Sequence, residues 1–263
     1  MALKIFQVDA FTSEPFKGNP AGVCLLDGPY DDEFRQNVAR EMNLSETAFP
    51  LREDEGFRLR WFTPAVEVAL CGHATLATSH VLWEEGIVPL QTPIRYFTKS
   101  GELRAARRDG LIELDFPVKL EQTVEAPESL IRAMGVMPRY VGRNQFDYLF
   151  LLDNEATVRK VSPDFRLLRG AGARGIMVTA PSDSSEFDFV SRFFAPGAGI
   201  DEDPVTGSAH CCLGPFWAAR LGKTELRAYQ ASARGGELLV RVAGDRVLLA
   251  GHAVTVLRGE LVA

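Results

Sequence analysis

The feature that most constrains this chain of 263 residues is an internal correspondence at a nearly constant spacing. Phe57, Arg60, Phe62 and Pro64 match Phe189, Arg192, Phe194 and Pro196 at a separation of 132, with Trp61 opposite Phe193. Cys71-Gly72-His73-Ala74 then meets Thr206-Gly207-Ser208-Ala209 at 135, and the glycines Gly86 and Gly222, placed to stop a helix, fall 136 apart. Gly101-Glu102-Leu103 and Gly236-Glu237-Leu238 also pair at 135, and upstream Pro50 and Pro181 pair at 131. A slow drift of this kind, with turn residues and helix stops in step, marks a duplicated strand–loop–helix unit. The chain is therefore expected to form two α+β halves of about 130 residues each, 1–120 and 121–263, with C-terminal strands free to cross over to the first.

Within each repeat a strand ends in a loop that enters a helix at a glycine. The first N–H groups of a helix have no partner inside it, and the helix dipole places partial positive charge there. Such an end suits a carboxylate. Gly207 lets a ligand approach the backbone closely, and Ser208 is placed either to cap the helix or to hold a ligand oxygen. The spacing predicts helices over 31–42, 74–85, 127–134, 156–161, 164–168 and 209–221, with alternating or β-rich strands filling most of the rest. Two facing loops, Gly72-His73 and Gly207-Ser208, would clamp a small acid in a cleft between the halves.

Net charge is −6, which argues against nucleic acid or an anionic membrane as partner. No apolar run approaches the length of a membrane span, and the N-terminus lacks the pattern of a signal peptide. The four cysteines, Cys24, Cys71, Cys211 and Cys212, form no CxxC pair, so free thiols in a reducing cytoplasm are expected. No metal-ligand set, dinucleotide loop or phosphate loop stands out, so no metal and no cofactor is expected.

Four residues are candidates for chemistry. Glu46 follows Ser45 at the entry to the apolar strand start Thr47-Ala48-Phe49. In an apolar setting a carboxylate becomes a plausible general acid or base; the alternative is a solvated turn or a capping pair. His73 is either a proton donor and carboxylate partner or a helix cap. Asp203 stands with Asp201 and Glu202 before a helix, where three acids would simply favour the dipole or where one would be catalytic. Cys71 lies at a helix start that lowers a thiol pKa. A two-cysteine epimerase would need a matching thiol, and positions 206 and 208 are Thr and Ser, so Cys71 reads better as a small packing residue. His80, His210 and His252 read as structural.

Phe6-Gln7-Val8-Asp9-Ala10-Phe11-Thr12, Phe16-Lys17-Gly18-Asn19-Pro20-Ala21-Gly22-Val23, Asn43-Leu44-Ser45-Glu46-Thr47-Ala48-Phe49, Phe62-Thr63-Pro64 with Cys71-Gly72-His73-Ala74-Thr75, and Asp203-Pro204-Val205-Thr206-Gly207-Ser208-Ala209 together resemble the PhzF-like phenazine-biosynthesis family. The resemblance runs through nearly the whole chain. It implies the diaminopimelate-epimerase-like fold: two pseudo-symmetric halves, each a barrel-like sheet around a central helix. It also implies a cofactor-free isomerisation of the kind performed on trans-2,3-dihydro-3-hydroxyanthranilate, in which a glutamate moves a proton between ring carbons. By resemblance Glu46 would be that acid/base. His73, Asp203 and Ser208 would line the site, the amides of Gly72 and Gly207 would hold the substrate carboxylate, and the protein would be a homodimer. The sister epimerases use two cysteines, of which this chain keeps one. An epimerase using Cys71 and a non-catalytic ligand binder of the same fold remain the alternatives.

Overall fold

The computed structural model describes residues 2–262. The chain forms two compact units, one running to Phe116 and resuming at Leu248, the other Pro117–Val247. The first unit holds β1 (Leu3–Ala10), β2 (Asn19–Cys24), α1 (Asp32–Met42), β3 (Glu46–Glu53), β4 (Gly56–Phe62), β5 (Glu67–Val68), α2 (Gly72–Glu84), β6 (Ile94–Thr98), β7 (Gly101–Arg108) and β8 (Leu111–Pro117). The second holds β9 (Gln122–Thr123), α3 (Glu128–Met134), β10 (Tyr140–Arg143), β11 (Asp147–Leu151), α4 (Glu155–Lys160), α5 (Phe165–Arg169), β12 (Gly175–Pro181), β13 (Phe189–Ala195), β14 (Ile200–Asp203), α6 (Gly207–Leu221), β15 (Glu225–Gln230) and β16 (Gly236–Ala243). β17 (Arg246–Gly251) carries the chain back to the first unit, where β18 (Ala253–Leu261) pairs antiparallel with β1.

The duplication is visible in the ladders. In the first unit β1–β2 is antiparallel, β2–β3 parallel, β3–β4 antiparallel, β4–β6 parallel and β6–β7 antiparallel. The same sequence of senses recurs in β10–β11, β11–β12, β12–β13, β13–β15 and β15–β16. The parallel crossovers β4–β6 and β13–β15 are made by the long helices α2 and α6. Both helices are buried nearly all round, as a helix enclosed by sheet must be. Each half is thus a barrel-like sheet around a central helix, and the fold is α+β.

Burying a helix on every side requires its polar groups to be satisfied within it. In α2 the hydroxyls of Thr75, Thr78 and Ser79 donate back to the carbonyls of Cys71, Ala74 and Thr75 at 2.6, 2.7 and 2.8 Å. In α6 Pro215 cannot donate to the carbonyl four residues earlier. The N–H of Lys119 takes that place, reaching Cys211 O at 3.0 Å. Pro215 thereby turns a helix defect into an anchor for the chain entering the second unit.

Both repeats carry the same ionic staple. Arg60 on β4 forks onto Glu67 of β5 at 2.7 and 2.8 Å, and its guanidinium lies 5.2 Å from the Phe62 ring. Arg192 on β13 forks onto Glu202 of β14 at 2.7 and 2.9 Å and lies 4.7 Å from the Phe194 ring. Bidentate pairs of this kind fix geometry as well as adding energy. Here each one holds the short strand that leads into the central helix, and so places the loop at the helix start.

One part of the sequence correspondence fails. With Arg60 and Arg192 equivalent, Leu59 answers to Ser191. Leu59 pairs with Pro50 and Ser191 with Thr179. The counterpart of Pro50 is therefore Thr179, and Pro181 lies two residues further along the strand. A two-residue step leaves every side chain on its own face, so the proline match was not contradicted by patterning. By the same register Glu46, paired with Ala21, answers to Gly175, paired with Asp147. Three short strands, β5, β9 and β14, also escape the sequence pattern, because two to four residues carry no measurable period.

Candidate active site

The first unit brings four of its polar side chains together at the start of α2. Glu46 opens β3, His73 is the second residue of α2, Cys71 is its N-cap residue, and Asn19 opens β2. The side chains of Glu46 and His73 are 13% and 6% exposed. His73 Nε2 lies 3.3 Å from Glu46 Oε2. Its other nitrogen, Nδ1, lies 3.2 Å from the Asn19 amide nitrogen and 3.5 Å from Cys71 Sγ.

Burial depresses the His73 pKa to about 3, so the ring is neutral across the physiological range. The 3.3 Å approach to Glu46 is therefore not an ion pair. An amide nitrogen can only donate, so the Asn19 contact makes Nδ1 the acceptor and leaves the proton on Nε2. That buried Nε2 makes no hydrogen bond within the protein, since its approach to Glu46 is misaligned. A buried donor left unsatisfied is costly and calls for a reason.

Glu46, Cys71 and His73 also present oxygen, sulfur and nitrogen atoms within 4.8 Å of one another, donor types that zinc accepts. The Nδ1 lone pair is already engaged by Asn19 and Nε2 carries the proton. With Nδ1 engaged in this way, the ring offers no free lone pair to a metal in this arrangement.

The second unit places its candidates around the start of α6. Thr206, not Ser208, occupies the N-cap position, and its hydroxyl donates to Asp203 Oδ2 at 2.6 Å. Gln230 ties this loop to β15: its Oε1 accepts from Thr206 N–H at 2.8 Å, and its Nε2 donates to Asp203 O at 2.6 Å and Thr206 Oγ1 at 3.1 Å. Gly207 is the first residue of the helix, and the half-buried Ser208 the second. His210, one turn further, is fully buried and donates its Nδ1–H to Thr206 O at 2.8 Å. Burial lowers its pKa to about 4. The thiols of Cys211 and Cys212 are pushed up to about 12 by burial in the same helix.

The sequence reading missed two residues. Asn19 entered only as one residue of the stretch Phe16 to Val23, with no role assigned to it. Gln230 is a lone glutamine in a strand and gives no signal of its own.

Comparison with known proteins accords with this picture. An uncharacterized isomerase of Halalkalibacterium halodurans is 54% identical over 262 residues, spanning 99% of both chains. A hydroxyproline epimerase from Agrobacterium vitis superposes with a TM-score of 0.65 at 13% identity over 99% of this chain and 92% of that one, a likeness of fold alone. The chain is an isomerase built on the two-halved, diaminopimelate-epimerase-like fold. Residues 8–259 match the family described as phenazine biosynthesis-like protein, and the chain belongs to that family. A PhzF-family crystal structure from Enterococcus faecalis is 42% identical, with a TM-score of 0.95 over the whole of both chains. Among the described residues no helix is long and apolar enough to cross a membrane.

Proposed function

We propose that this isomerase shifts a proton within a small carboxylate-bearing substrate, in the family manner a cyclic dihydro-hydroxy acid, with Glu46 as the single acid/base and no cofactor. The observation that carries this reading is a largely buried carboxylate 3.3 Å from a neutral imidazole. A charged imidazolium would hold Glu46 in its carboxylate form. A neutral one adds no such charge beside the carboxyl group. Glu46 takes a proton from one carbon, keeps it as a carboxylic acid, and returns it to another. Burial limits loss of that proton to water. His73 contributes its Nε2–H as a hydrogen-bond donor to the carboxyl group or to the bound acid. The same reading gives Asp203 a part in the proton transfers. It gives Gly72, Gly207 and Ser208 the binding of the substrate carboxylate, supported by the place of each at the start of a buried helix. A homodimer in the cytoplasm is the accompanying expectation.

The test is a panel of carboxylated metabolites incubated in heavy water with wild type and Glu46→Gln. Wild type should exchange deuterium into at least one compound. The variant, folded and still binding it, should not. Equal exchange by both proteins would sink the proposal.

One observation favours a second reading, an epimerase using Cys71: Cys71 stands at the N-cap position of α2, and its Sγ lies 3.5 Å from His73 Nδ1. A thiolate base needs a cation or a general base beside it. His73 is neutral, and its Nδ1 is shared with Asn19. Cys211 and Cys212 are poor candidates for a second base, being held as thiols. Cys71→Ser abolishing exchange with inversion at a stereocentre would favour this reading over the first.

A further inference from the structure

We infer that Asn19 is a positioning residue: it fixes which nitrogen of His73 carries the proton, and so keeps the N–H on Nε2, the nitrogen 3.3 Å from Glu46. The inference deepens the proposed reading of Glu46 and rests on it for its catalytic meaning, though not for its geometry.

The Asn19 amide meets Nδ1 at 3.2 Å, and the Cys71 thiol meets the same atom at 3.5 Å. Two donors converging on Nδ1 favour a lone pair there. The other tautomer would set Nδ1–H against the amide N–H and turn the Nε2 lone pair toward the Glu46 oxygen at 3.3 Å, opposing like partial charges at both ends of the ring. In a buried site such misplacement costs far more than in water. The ring gets no help from charge, since burial keeps it neutral.

The mounting of Asn19 suits that task. It is fully buried and pairs with Ala10 at the end of the β1–β2 ladder. The residue before it, Gly18, has φ +64, and a Cβ there would meet Ala10 O at 2.2 Å. The loop leading to it is pinned by Asp9, whose Oδ2 accepts Phe16 N–H at 2.7 Å. Two aromatic residues of this loop region, Phe11 and Phe16, adopt left-handed φ values of 62 and 69. Bulky side chains rarely do so, and strain of this kind gathers at functional sites. A surface turn of ordinary purpose would need none of it.

The test is nitrogen-15 NMR of the intact protein labelled at histidine, with the His73 signals assigned by their loss in His73→Gln. At neutral pH wild type should show an unprotonated Nδ1 and a protonated Nε2. Asn19→Asp presents only acceptors to the ring, and the proton should move to Nδ1. Asn19→Leu should lower the population of the Nε2–H form. A wild-type ring protonated at Nδ1 overturns the inference outright, whether or not the variants fold. So does a folded Asn19→Asp or Asn19→Leu with an unchanged tautomer. A Glu46→Gln enzyme that stays fully active would remove the proposed function yet leave the tautomer result standing. The reversed tautomer with an inactive Glu46→Gln would remove only the role of Asn19.

Discussion

The starts of α2 and α6 are the same structural device put to different uses. Each follows an arginine-stapled short strand and opens on a glycine. At α6 Asp203, Thr206 and Gln230 hydrogen-bond one another, and His210 donates into the helix through Nδ1 while its buried Nε2 makes no hydrogen bond within the protein. At α2 the histidine carries its proton on the opposite nitrogen, and that nitrogen makes no hydrogen bond. The carboxylate beside it has no counterpart in the other half. Glu46 answers to Gly175, where a Cβ would meet Phe193 Cζ at 2.3 Å. Duplication supplied two helix starts of one design. On the proposed reading the acid/base stands at the start of α2 alone, with Asp203 assisting from the start of α6.

This contrast can be broken or sharpened by mutation. The largest effect is expected at Glu46, where replacement by Gln should lower turnover by about 10³-fold or more, at the upper range for a lost acid/base. Asp203→Asn should act more weakly on turnover. Comparable losses at the two positions would mean that both halves carry the chemistry.

Stability should show the reverse order. Gln230→Leu removes three hydrogen bonds and strands the buried N–H of Thr206, a loss of about 2–3 kcal/mol in denaturant unfolding. Glu46→Gln should cost little or even stabilise, because functional groups are commonly held at the expense of stability. If the two staples are equivalent, Arg60→Met and Arg192→Met should destabilise by similar amounts, about 1–3 kcal/mol each. A cost confined to one of them would show that only one half depends on its staple.

Acid should also tell the halves apart. His73 and His210 have folded pKa values lowered to about 3 and 4 from an ordinary value near 6.5. The unfolded chain therefore binds protons that the folded chain does not, and stability falls as pH drops from about 6.5 toward 4. Each histidine contributes a slope of up to about 1.4 kcal/mol per pH unit in that window. His210→Phe should flatten the dependence by about one proton while leaving the His73 contribution intact. An unchanged slope would mean that His210 is not held neutral by burial. The smallest effect is expected at Cys71, where Ser should keep turnover within a few-fold of wild type.

Much of this was legible in the sequence, for physical reasons that differ by element. The central helices announced themselves through glycine stops and continuous apolar runs, and the matched arginines proved to be matched staples. The proline match did not survive, because β pairing tolerates a two-residue step without exposing the core. Glu46 and His73 could be suspected from their neighbours, but their 3.3 Å approach joins a strand start to a helix start across 27 positions of chain. Asn19 and Gln230 were unreadable as site residues. Each acts through one side-chain amide on a partner 54 or 24 residues away, and no local pattern records that. Ser208 could be read as a cap or as a holder of a ligand oxygen, because Ser favours both positions. The register of the loop gave the cap to Thr206, and Asp203 holds its hydroxyl.

The most direct test of a single glutamate shuttle follows the proton itself. A compound that exchanges in the heavy-water panel is prepared with deuterium at the carbon that loses its proton, and turned over in ordinary water. One carboxyl group that takes and returns the same proton predicts product carrying part of that deuterium at the accepting carbon, with the carry-over unchanged in Cys71→Ser. Complete washout in wild type, together with loss of turnover in Cys71→Ser, would contradict it and put two different bases on the substrate.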